Sequence, residues 1–404
     1  MASAFGEFGA GWRTVTGAAF GIGLGIAGLL TYNSGLFVDG LERDLGLSRT
    51  VYGAAFFGST VALALAMPIV ARIVEAHGPR RSATVGALTL AIGFLALSQA
   101  QSVAGYAAAM IGIGLLAGLS SPVPFTRAVA ASFQRSRGLA LGLTQAGIGI
   151  AAAVVPPFIS LQIAEHGWRA GFHALAGLAA LGTIPALLLL PRHEPQSGGQ
   201  RDTSAEAFAA IRNSRIYIMQ LAAFTSMALA FAGMLAHFVP MLLDGGIPVQ
   251  QAGAMAGMIG ISVISTRVIV GWLADRIEPA WLGAASCTVC AVGCLLLAFG
   301  GAAMAPLGAI ALGAAMGAEA DLIGILTARY FPIAAFSRAY ARQYAAFMVA
   351  GGLSPLWIGY LADTTGDYTA ALFVCSAGLL FPIALFVRLA SWSGASSNDK
   401  ALPY

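Results

Sequence analysis

Apolar stretches of ~20 residues recur along the whole chain and alternate with short polar segments. A helix of this length spans the hydrocarbon core of a bilayer. The pattern therefore predicts an all-α membrane protein with twelve transmembrane helices. The predicted spans lie near residues 14–37, 51–74, 82–101, 104–132, 139–163, 171–190, 214–243, 250–274, 281–300, 303–329, 339–362 and 369–391.

The longest polar stretch follows the sixth predicted span. Residues 191–215 read PRHEPQSGGQRDTSAEAFAAIRNSR and are rich in Pro, Gly, Ser and charge, which is typical of a linker. We therefore predict an N-terminal six-helix half over residues 1–190 and a cytoplasmic linker over 191–213. A C-terminal six-helix half with a short cytoplasmic tail follows over 214–404.

Composition supports this membrane setting. The chain is 58% hydrophobic and 9% charged, whereas a soluble domain carries about 25% charged residues. The chain contains neither His-Glu-x-x-His nor Gly-x-Ser-x-Gly, so we expect no enzyme, no cofactor, no metal site and no nucleic-acid partner. Cys287, Cys290 and Cys294 in the ninth span are interpreted as packing residues rather than as a metal or thiol cluster.

Basic residues are distributed unevenly between the two sides of the predicted bundle. With the N-terminus inside, Arg43, Arg49 and Arg169 lie in outside loops, Arg127 and Arg267 lie within spans, and the rest of the 21 lie inside. This asymmetry predicts that both termini are cytoplasmic. The first segment has no signal-peptide cleavage pattern, and Arg greatly outnumbers Lys. We therefore expect a multi-pass protein of a bacterial inner membrane.

The two predicted halves share an internal repeat. Gly46 matches Gly246 and Glu75 matches Asp275, both at an offset of 200 residues. A repeated acidic turn after the second helix of each half indicates duplication. Two parallel six-helix halves, related by an axis along the membrane normal, are typical of one large class of transporters.

The repeated loops also resemble a known family. ARIVEAHGPRR (71–81) and GWLADR (271–276) are similar to the major facilitator superfamily signature, Gly-x-x-x-Asp-Arg-x-Gly-Arg-Arg. The first copy departs from it at Ala71, Glu75 and Ala76, and the second copy lacks the basic end. The resemblance covers nearly the whole chain and implies the major facilitator fold.

Further stretches resemble the monocarboxylate and oxalate/formate branch of that superfamily. They are TYNSGLFVDGLERDLGLSRT, FQRSRGLALGLTQAGIGI, GAEADLIGILTARYF and TRVIVGWLAD. The resemblance implies secondary transport of a small organic anion by alternating access, with proton coupling or anion exchange. Proton-coupled animal members carry a lysine in the first helix and an aspartate four residues before an arginine of helix eight. This chain has no lysine before Lys400 and has Val263 at the aspartate's place, so coupling through those two groups is excluded.

Four ionisable residues, Arg127, Arg267, Glu319 and Asp321, lie well inside predicted spans. Each costs about 2.5–3.5 kcal/mol there, so such residues face a cavity or one another. Structural ion pairs and a binding site both satisfy this requirement. In the resembling branch an arginine four residues before the helix-ending glycine binds the substrate carboxylate, and Arg267 has that spacing to Gly271. Because a guanidinium binds a carboxylate bidentately, we interpret Arg267 as the anion-binding residue.

Glu319 and Asp321 are two residues apart and point ~200° apart on a helix, so one of them faces the pathway. Burial disfavours the charged form of a carboxyl, which suits a proton-coupling group. We favour Glu319 for this role beside Arg267, with Asp321 as the partner of a neighbouring helix. The reverse assignment and a proton role for His237 stay open.

Other candidates are grouped by role. Arg127 is either a second substrate contact or part of an inner gate. The candidate cavity walls are Tyr32, Asn33, Gln145, Tyr344 and Phe347. The candidate gating residues are Glu75, Arg80, Asp275, Arg276 and Arg329, with Arg329 expected to pair with Asp275.

The leading hypothesis is thus a monomeric carrier whose partners are a small organic anion, a proton and the lipid bilayer. The alternative is a proton-driven exporter of larger hydrophobic compounds, such as drugs or siderophores, in which the charges lock a gate. The position of Arg267 distinguishes them: an open cavity indicates an anion carrier, and a helix–helix contact indicates the exporter. A receptor or membrane enzyme has no supporting motif.

Overall fold

The computed structural model describes residues 4–47, 49–192 and 198–396. Within these ranges the chain forms α-helices joined by short turns, with no strand. The helices are α1 (Ala4–Gly23), α2 (Ile26–Asn33), α3 (Val38–Leu45), α4 (Arg49–Ser98), α5 (Val103–Leu116), α6 (Pro122–Ser132), α7 (Arg137–His166), α8 (Trp168–Leu181), α9 (Thr183–Leu189), α10 (Gly198–Ile211), α11 (Arg215–Phe231), α12 (Met234–Asp244), α13 (Val249–Ala274), α14 (Pro279–Gly300), α15 (Ala305–Tyr330), α16 (Ile333–Thr365) and α17 (Thr369–Ser396).

Ten apolar helical stretches of the described chain are long enough to cross a membrane. Two of them, Val51–Ser98 with 48 residues and Pro279–Tyr330 with 52 residues, are long enough to cross it twice, because one crossing takes ~20 residues. Each is divided at a glycine with positive φ, Gly78 at 77° and Gly301 at 50°. The all-α, twelve-span prediction is therefore confirmed.

The loop predicted between the second and third spans is almost entirely helical. The break is confined to Gly78, whose φ of 77° and ψ of 166° are readily adopted only by glycine. Pro79 then begins the next helix, where its fixed φ and missing N–H are tolerated. As a result Glu75 lies on the last helical turn before the break and not in a flexible loop.

Two other spans are divided into shorter helices whose exposed backbone groups find side-chain partners. At the α1–α2 break, the N–H of Ile26 donates to Oγ of Ser120 at 3.3 Å. At the α11–α12 break, the N–H of Gly233 donates to Oγ of Ser354 at 2.9 Å, and a Cβ on Gly233 would overlap Pro355. Such bonds compensate for interrupted helical hydrogen bonds where water is absent.

The chain contains two compact units. The first comprises Met1–Phe208 together with Pro332–Ala345, and the second comprises Ala209–Phe331 together with Ala346–Tyr404. The division falls inside α16, so the first residues of that helix belong to the first unit. The boundaries predicted at residues 190 and 214 stay a prediction.

Candidate functional site

In the second unit, α13 and α15 approach closely because α15 presents glycines to α13. A Cβ on Gly313 would lie 2.5 Å from a carbonyl oxygen of α13, and one on Gly317 would lie 2.6 Å from the Val263 carbonyl oxygen. Small residues at this spacing allow helices in a membrane to pack closely. Asp321 lies one helical turn after Gly317 in α15, and Arg267 lies one turn after Val263 in α13. The two side chains therefore meet in the same register as the glycine contact above them.

Arg267 and Asp321 form a buried ion pair. Nη1 of Arg267 lies 2.7 Å from Oδ1 of Asp321, and the two residues are only 5% and 1% exposed. Among the described residues this is the one hydrogen bond of the guanidinium, and its buried Nε has no acceptor. A guanidinium has five N–H donors, and buried donors are normally bonded. The side chain therefore lies in a helix–helix contact but keeps a buried donor for a further acceptor.

Glu319 lies close to this pair on another face of α15. It is buried, and its Oε2 has no hydrogen-bond partner in the described part of the chain. Its carboxyl lies near the charged groups of Arg267 and Asp321 and near the thiol of Cys287 in α14. Arg267, Glu319 and Asp321 form the α13–α15 charge cluster, with one cation for two carboxyls. The carboxylate bonded to the arginine is thus that of Asp321, and not that of Glu319, the neighbour predicted from the sequence.

Gly317→Ala is expected to destabilise the protein by about 1–3 kcal/mol, the usual cost of overpacking, because the new methyl overlaps the α13 backbone. The melting temperature in detergent measures this effect. Gly257→Ala in α13 is the matched control, since a Cβ there has no atom within 4 Å. We expect its melting temperature to match or exceed that of the parent protein. Equal melting temperatures for both variants would contradict the close approach of α13 and α15.

A second group of charges lies in the first unit. Glu75 is buried and accepts from Nε of Arg338 through both carboxylate oxygens, at 2.9 and 3.2 Å. Arg127 is also buried; its Nη1 donates to Oγ of Ser337 at 2.5 Å, and the Glu75 charge acts on it. Arg80 is partly exposed, and its side chain has no partner among the described residues. The gating roles of these residues, and a substrate contact for Arg127, stay predictions.

Glu75→Gln is expected to lower stability by about 2 kcal/mol, the typical contribution of a hydrogen bond to a charged group, because Arg338 loses its carboxylate. Differential scanning fluorimetry of the purified protein measures the change. The control is a double-mutant cycle with Arg338→Gln, in which the double variant recovers part of the loss. Additive losses in the cycle would show that the two side chains do not interact.

The other gating candidates lie at the ends of α13 and α15. Arg276 donates from Nη1 to the carbonyl oxygen of Trp272 at 2.8 Å and stacks on the same indole ring at 3.8 Å. Arg329 is largely exposed and lies 4.0 Å from Glu278, immediately before α14. Its carboxylate partner is therefore Glu278 and not the expected Asp275, because the turn after α13 brings Glu278 to the end of α15. Asp275 ends α13 in a helical conformation.

His237 connects α12 to two other parts of the second unit. Its Nε2 lies 2.9 Å from the carbonyl oxygen of Pro355, and its Nδ1 lies 3.1 Å from the hydroxyl of Tyr368. Because a carbonyl oxygen only accepts, Nε2 carries the proton and Nδ1 accepts from the phenol. Burial, with the nearby charges of Asp244 and Asp363, raises the pKa of Tyr368, which keeps that phenol a donor. A proton-transfer role for His237 stays a prediction.

The candidate cavity walls differ in exposure. Tyr32 is exposed, whereas Asn33 is buried and donates through Nδ2 to the Leu29 carbonyl oxygen at 2.8 Å. Gln145 is buried, and neither of its amide atoms has a partner in the described chain. Tyr344 and Phe347 are both buried in α16. Among these candidates, the Gln145 amide and the Oδ1 of Asn33 are therefore buried groups with unused hydrogen-bonding capacity in the described chain.

Gln220 and Ser337 are buried polar residues that the sequence candidates do not include. Gln220 in α11 is fully buried, and both its amide atoms lack a partner among the described residues. Ser337 in α16 accepts the bond from Arg127. For Gln220 the signal is present in the sequence, since a lone polar residue interrupts the apolar run IYIMQLAAF, and such residues are often functional in membranes.

Comparison with known proteins identifies the family. The model of the Major Facilitator Superfamily matches residues 18–318. Monocarboxylate transporter 13 of Bos taurus is 27% identical over 390 residues, covering 94% of this chain and 89% of that protein. Monocarboxylate transporter 11 of Homo sapiens is 25% identical over 384 residues, covering 87% and 79%. The solved proton:xylose symporter XylE aligns with a TM-score of 0.77 at 14% identity, covering 93% of this chain and 95% of that one. The chain therefore belongs to the Major Facilitator Superfamily of membrane transporters.

Proposed function

We propose that the chain is a secondary active transporter of small monocarboxylates that works by alternating access and couples to protons. The observation that carries the proposal is the guanidinium of Arg267, which is buried, bonded through Nη1 to Asp321 and without an acceptor at Nε. A substrate carboxylate binds the edge of the guanidinium that Asp321 leaves unused. The relatives at 25–27% identity are named monocarboxylate transporters, which supports this substrate class.

Proton coupling follows from the charge balance of the α13–α15 charge cluster. In the substrate-free state Arg267 is neutralised by Asp321 at 2.7 Å, and Glu319, which lacks a partner at Oε2, stays protonated. A substrate carboxylate on Arg267 adds a second anion to a site with one cation. A buried excess charge is costly, so Asp321 takes up a proton when the substrate binds. The substrate and one proton then cross together without net buried charge.

The same proposal includes the cellular setting. The excess of arginine on one side of the predicted bundle supports cytoplasmic termini, and we infer a bacterial inner membrane and a monomeric carrier. Cysteine-accessibility labelling tests the orientation, because the native cysteines Cys287, Cys290, Cys294 and Cys375 are all buried. A cysteine at exposed Arg81 is expected to react only from the cytoplasmic side, and one at exposed Arg169 only from the outside.

An uptake screen in proteoliposomes tests the substrate class. Radiolabelled monocarboxylates, dicarboxylates and a neutral sugar are offered with and without a pH gradient, acidic outside. We expect concentrative uptake of at least one monocarboxylate that depends on the gradient, and none of the sugar. Protein-free liposomes are the control for diffusion of the protonated acid. Uptake of no carboxylate above that control would contradict the proposal.

One observation favours the alternative, proton-driven export of larger hydrophobic compounds. The Arg267–Asp321 bond joins α13 to α15. A helix–helix contact of this kind is expected if the two charges hold a gate closed and do not bind substrate. In that case the same proteoliposomes extrude a lipophilic dye when the pH gradient is imposed, and small carboxylates do not compete. Competition by a monocarboxylate, with no dye movement, excludes the exporter.

A further inference from the structure

A pocket lies in the first unit at the Glu75–Arg338 ion pair. Its volume is about 290 Å³, and Ile69, Arg72 and Glu75 of α4 line it together with Arg338 of α16. An adjoining surface cavity of only about 20 Å³ is lined by Arg72 and Arg338 and, in addition, by Arg342. The proposed transport reaction uses none of the three arginines.

Two of these arginines have no anionic partner in the described chain. The charge of Arg338 is offset by Glu75 at 2.9 Å. Arg72 is exposed and makes no hydrogen bond or ion pair within the described residues. Arg342 is exposed and lies 4.4 Å over the ring of Phe208. The adjoining cavity, which Arg72 and Arg342 both line, therefore presents two guanidinium groups without an anionic partner in the described chain. Their geometry and charge match those of a phosphate.

The approach to the pocket along α4 is apolar. Leu65 is 70% exposed and Ile69 is 58% exposed, and the two are one helical turn apart on the same face. Arg72 follows Ile69 after three residues, a rise of ~5 Å along the helix. An exposed apolar strip that ends in arginine is the pattern of a helix passing from acyl chains into headgroups. This strip favours a phospholipid over a free anion.

We propose that Arg72 and Arg342, at the mouth of the small cavity that adjoins this pocket, bind the headgroup phosphate of an anionic phospholipid, with the acyl chains along Leu65 and Ile69. The phosphate accepts hydrogen bonds from Arg72 of α4 and Arg342 of α16. The bound phosphate connects α4 to α16. The lipid therefore stabilises the packing of Pro332–Ala345 within the first unit. The lipid site does not involve the transported substrate, so a failure of this proposal would leave the proposed function unaffected.

Native mass spectrometry and thermal unfolding of the full-length protein test the proposal, with phosphatidylglycerol and phosphatidylcholine of the same chain length as probes. We expect the parent protein to retain phosphatidylglycerol preferentially and to melt at a higher temperature in its presence. In Arg72→Gln/Arg342→Gln the apparent affinity for phosphatidylglycerol should fall by about tenfold. The matched control Arg81→Gln/Arg388→Gln removes the same charge from two exposed arginines outside the pocket and should bind like the parent.

Three outcomes would overturn the proposal. Equal retention of both lipids by the parent protein shows that the pocket does not select anionic headgroups, and this comparison does not depend on any variant folding. Equal loss in the pocket variant and in the control shows a general effect of charge. Stabilisation by inorganic phosphate to the same extent as by phosphatidylglycerol shows a site for free anions and not for a lipid.

Discussion

Arg267→Lys is expected to weaken substrate binding by about 10- to 100-fold while leaving the protein folded. Lysine keeps the positive charge beside Asp321, which lies 2.7 Å from the guanidinium in the parent, but it has no planar fork to hold a second carboxylate. The loss corresponds to about 1.5–3 kcal/mol, the contribution of a hydrogen bond to a charged group. A substrate titration followed by intrinsic fluorescence, using the monocarboxylate found in the uptake screen, measures it.

The control for this substitution is Arg276→Lys, at an exposed arginine in the turn after α13 that contacts Trp272 of that helix. Its substrate affinity should equal that of the parent. Unchanged affinity in Arg267→Lys, with melting temperatures alike in all three proteins, would remove Arg267 from the binding site.

Asp321→Asn is expected to abolish uptake driven by a pH gradient and to spare exchange of substrate across the membrane. The carboxylate of Asp321 competes with the substrate for Arg267, and it stops competing when protonated. Substrate affinity in the parent should therefore rise as the pH falls. Asparagine never competes and carries no titrating proton, so binding to the variant should be tighter and independent of pH. Proteoliposome uptake and counterflow assays, run at several pH values, measure both effects.

Substrate-free Asp321→Asn should also melt at a lower temperature than the parent, because it leaves a buried guanidinium without its counter-ion. Substrate should restore more stability to this variant than to the parent.

Glu319→Gln is the companion variant, since Glu319 is buried in the same charge cluster without a hydrogen bond at Oε2. We expect it to keep pH-driven uptake. Loss of that uptake in Glu319→Gln, with retention in Asp321→Asn, would assign the coupling proton to Glu319. This is the assignment predicted from the sequence.

The sequence predicts the spans well because placing a polar group in a bilayer costs much free energy, and this cost depends on the residue itself and not on distant parts of the chain. The twelve apolar runs correspond to the helices, including the two long stretches divided at Gly78 and Gly301. The same cost makes charged residues inside spans conspicuous, so Arg127, Arg267, Glu319 and Asp321 are identified without a structure.

The partners of those charges are harder to predict because they depend on packing between distant parts of the chain. Glu75 and Arg80 are grouped in the sequence by a shared loop, yet Glu75 bonds to Arg338, which lies 263 residues away. The bond from Arg267 to Asp321 depends on the register between α13 and α15. A signal for that register exists in the sequence, since Gly313, Gly317 and Asp321 follow one another at intervals of four residues and so share one helix face.

The measurement that most directly tests the anion-binding role of the charge cluster uses the doubly neutral variant Arg267→Gln/Asp321→Asn. Its two amides can bond to each other, so no charge is left buried and the α13–α15 contact is preserved. We predict a melting temperature near that of the parent, but no stabilisation and no counterflow at monocarboxylate concentrations that saturate the parent. A doubly neutral variant that binds and exchanges the monocarboxylate as the parent does would show that the ion pair is structural, and would contradict the account.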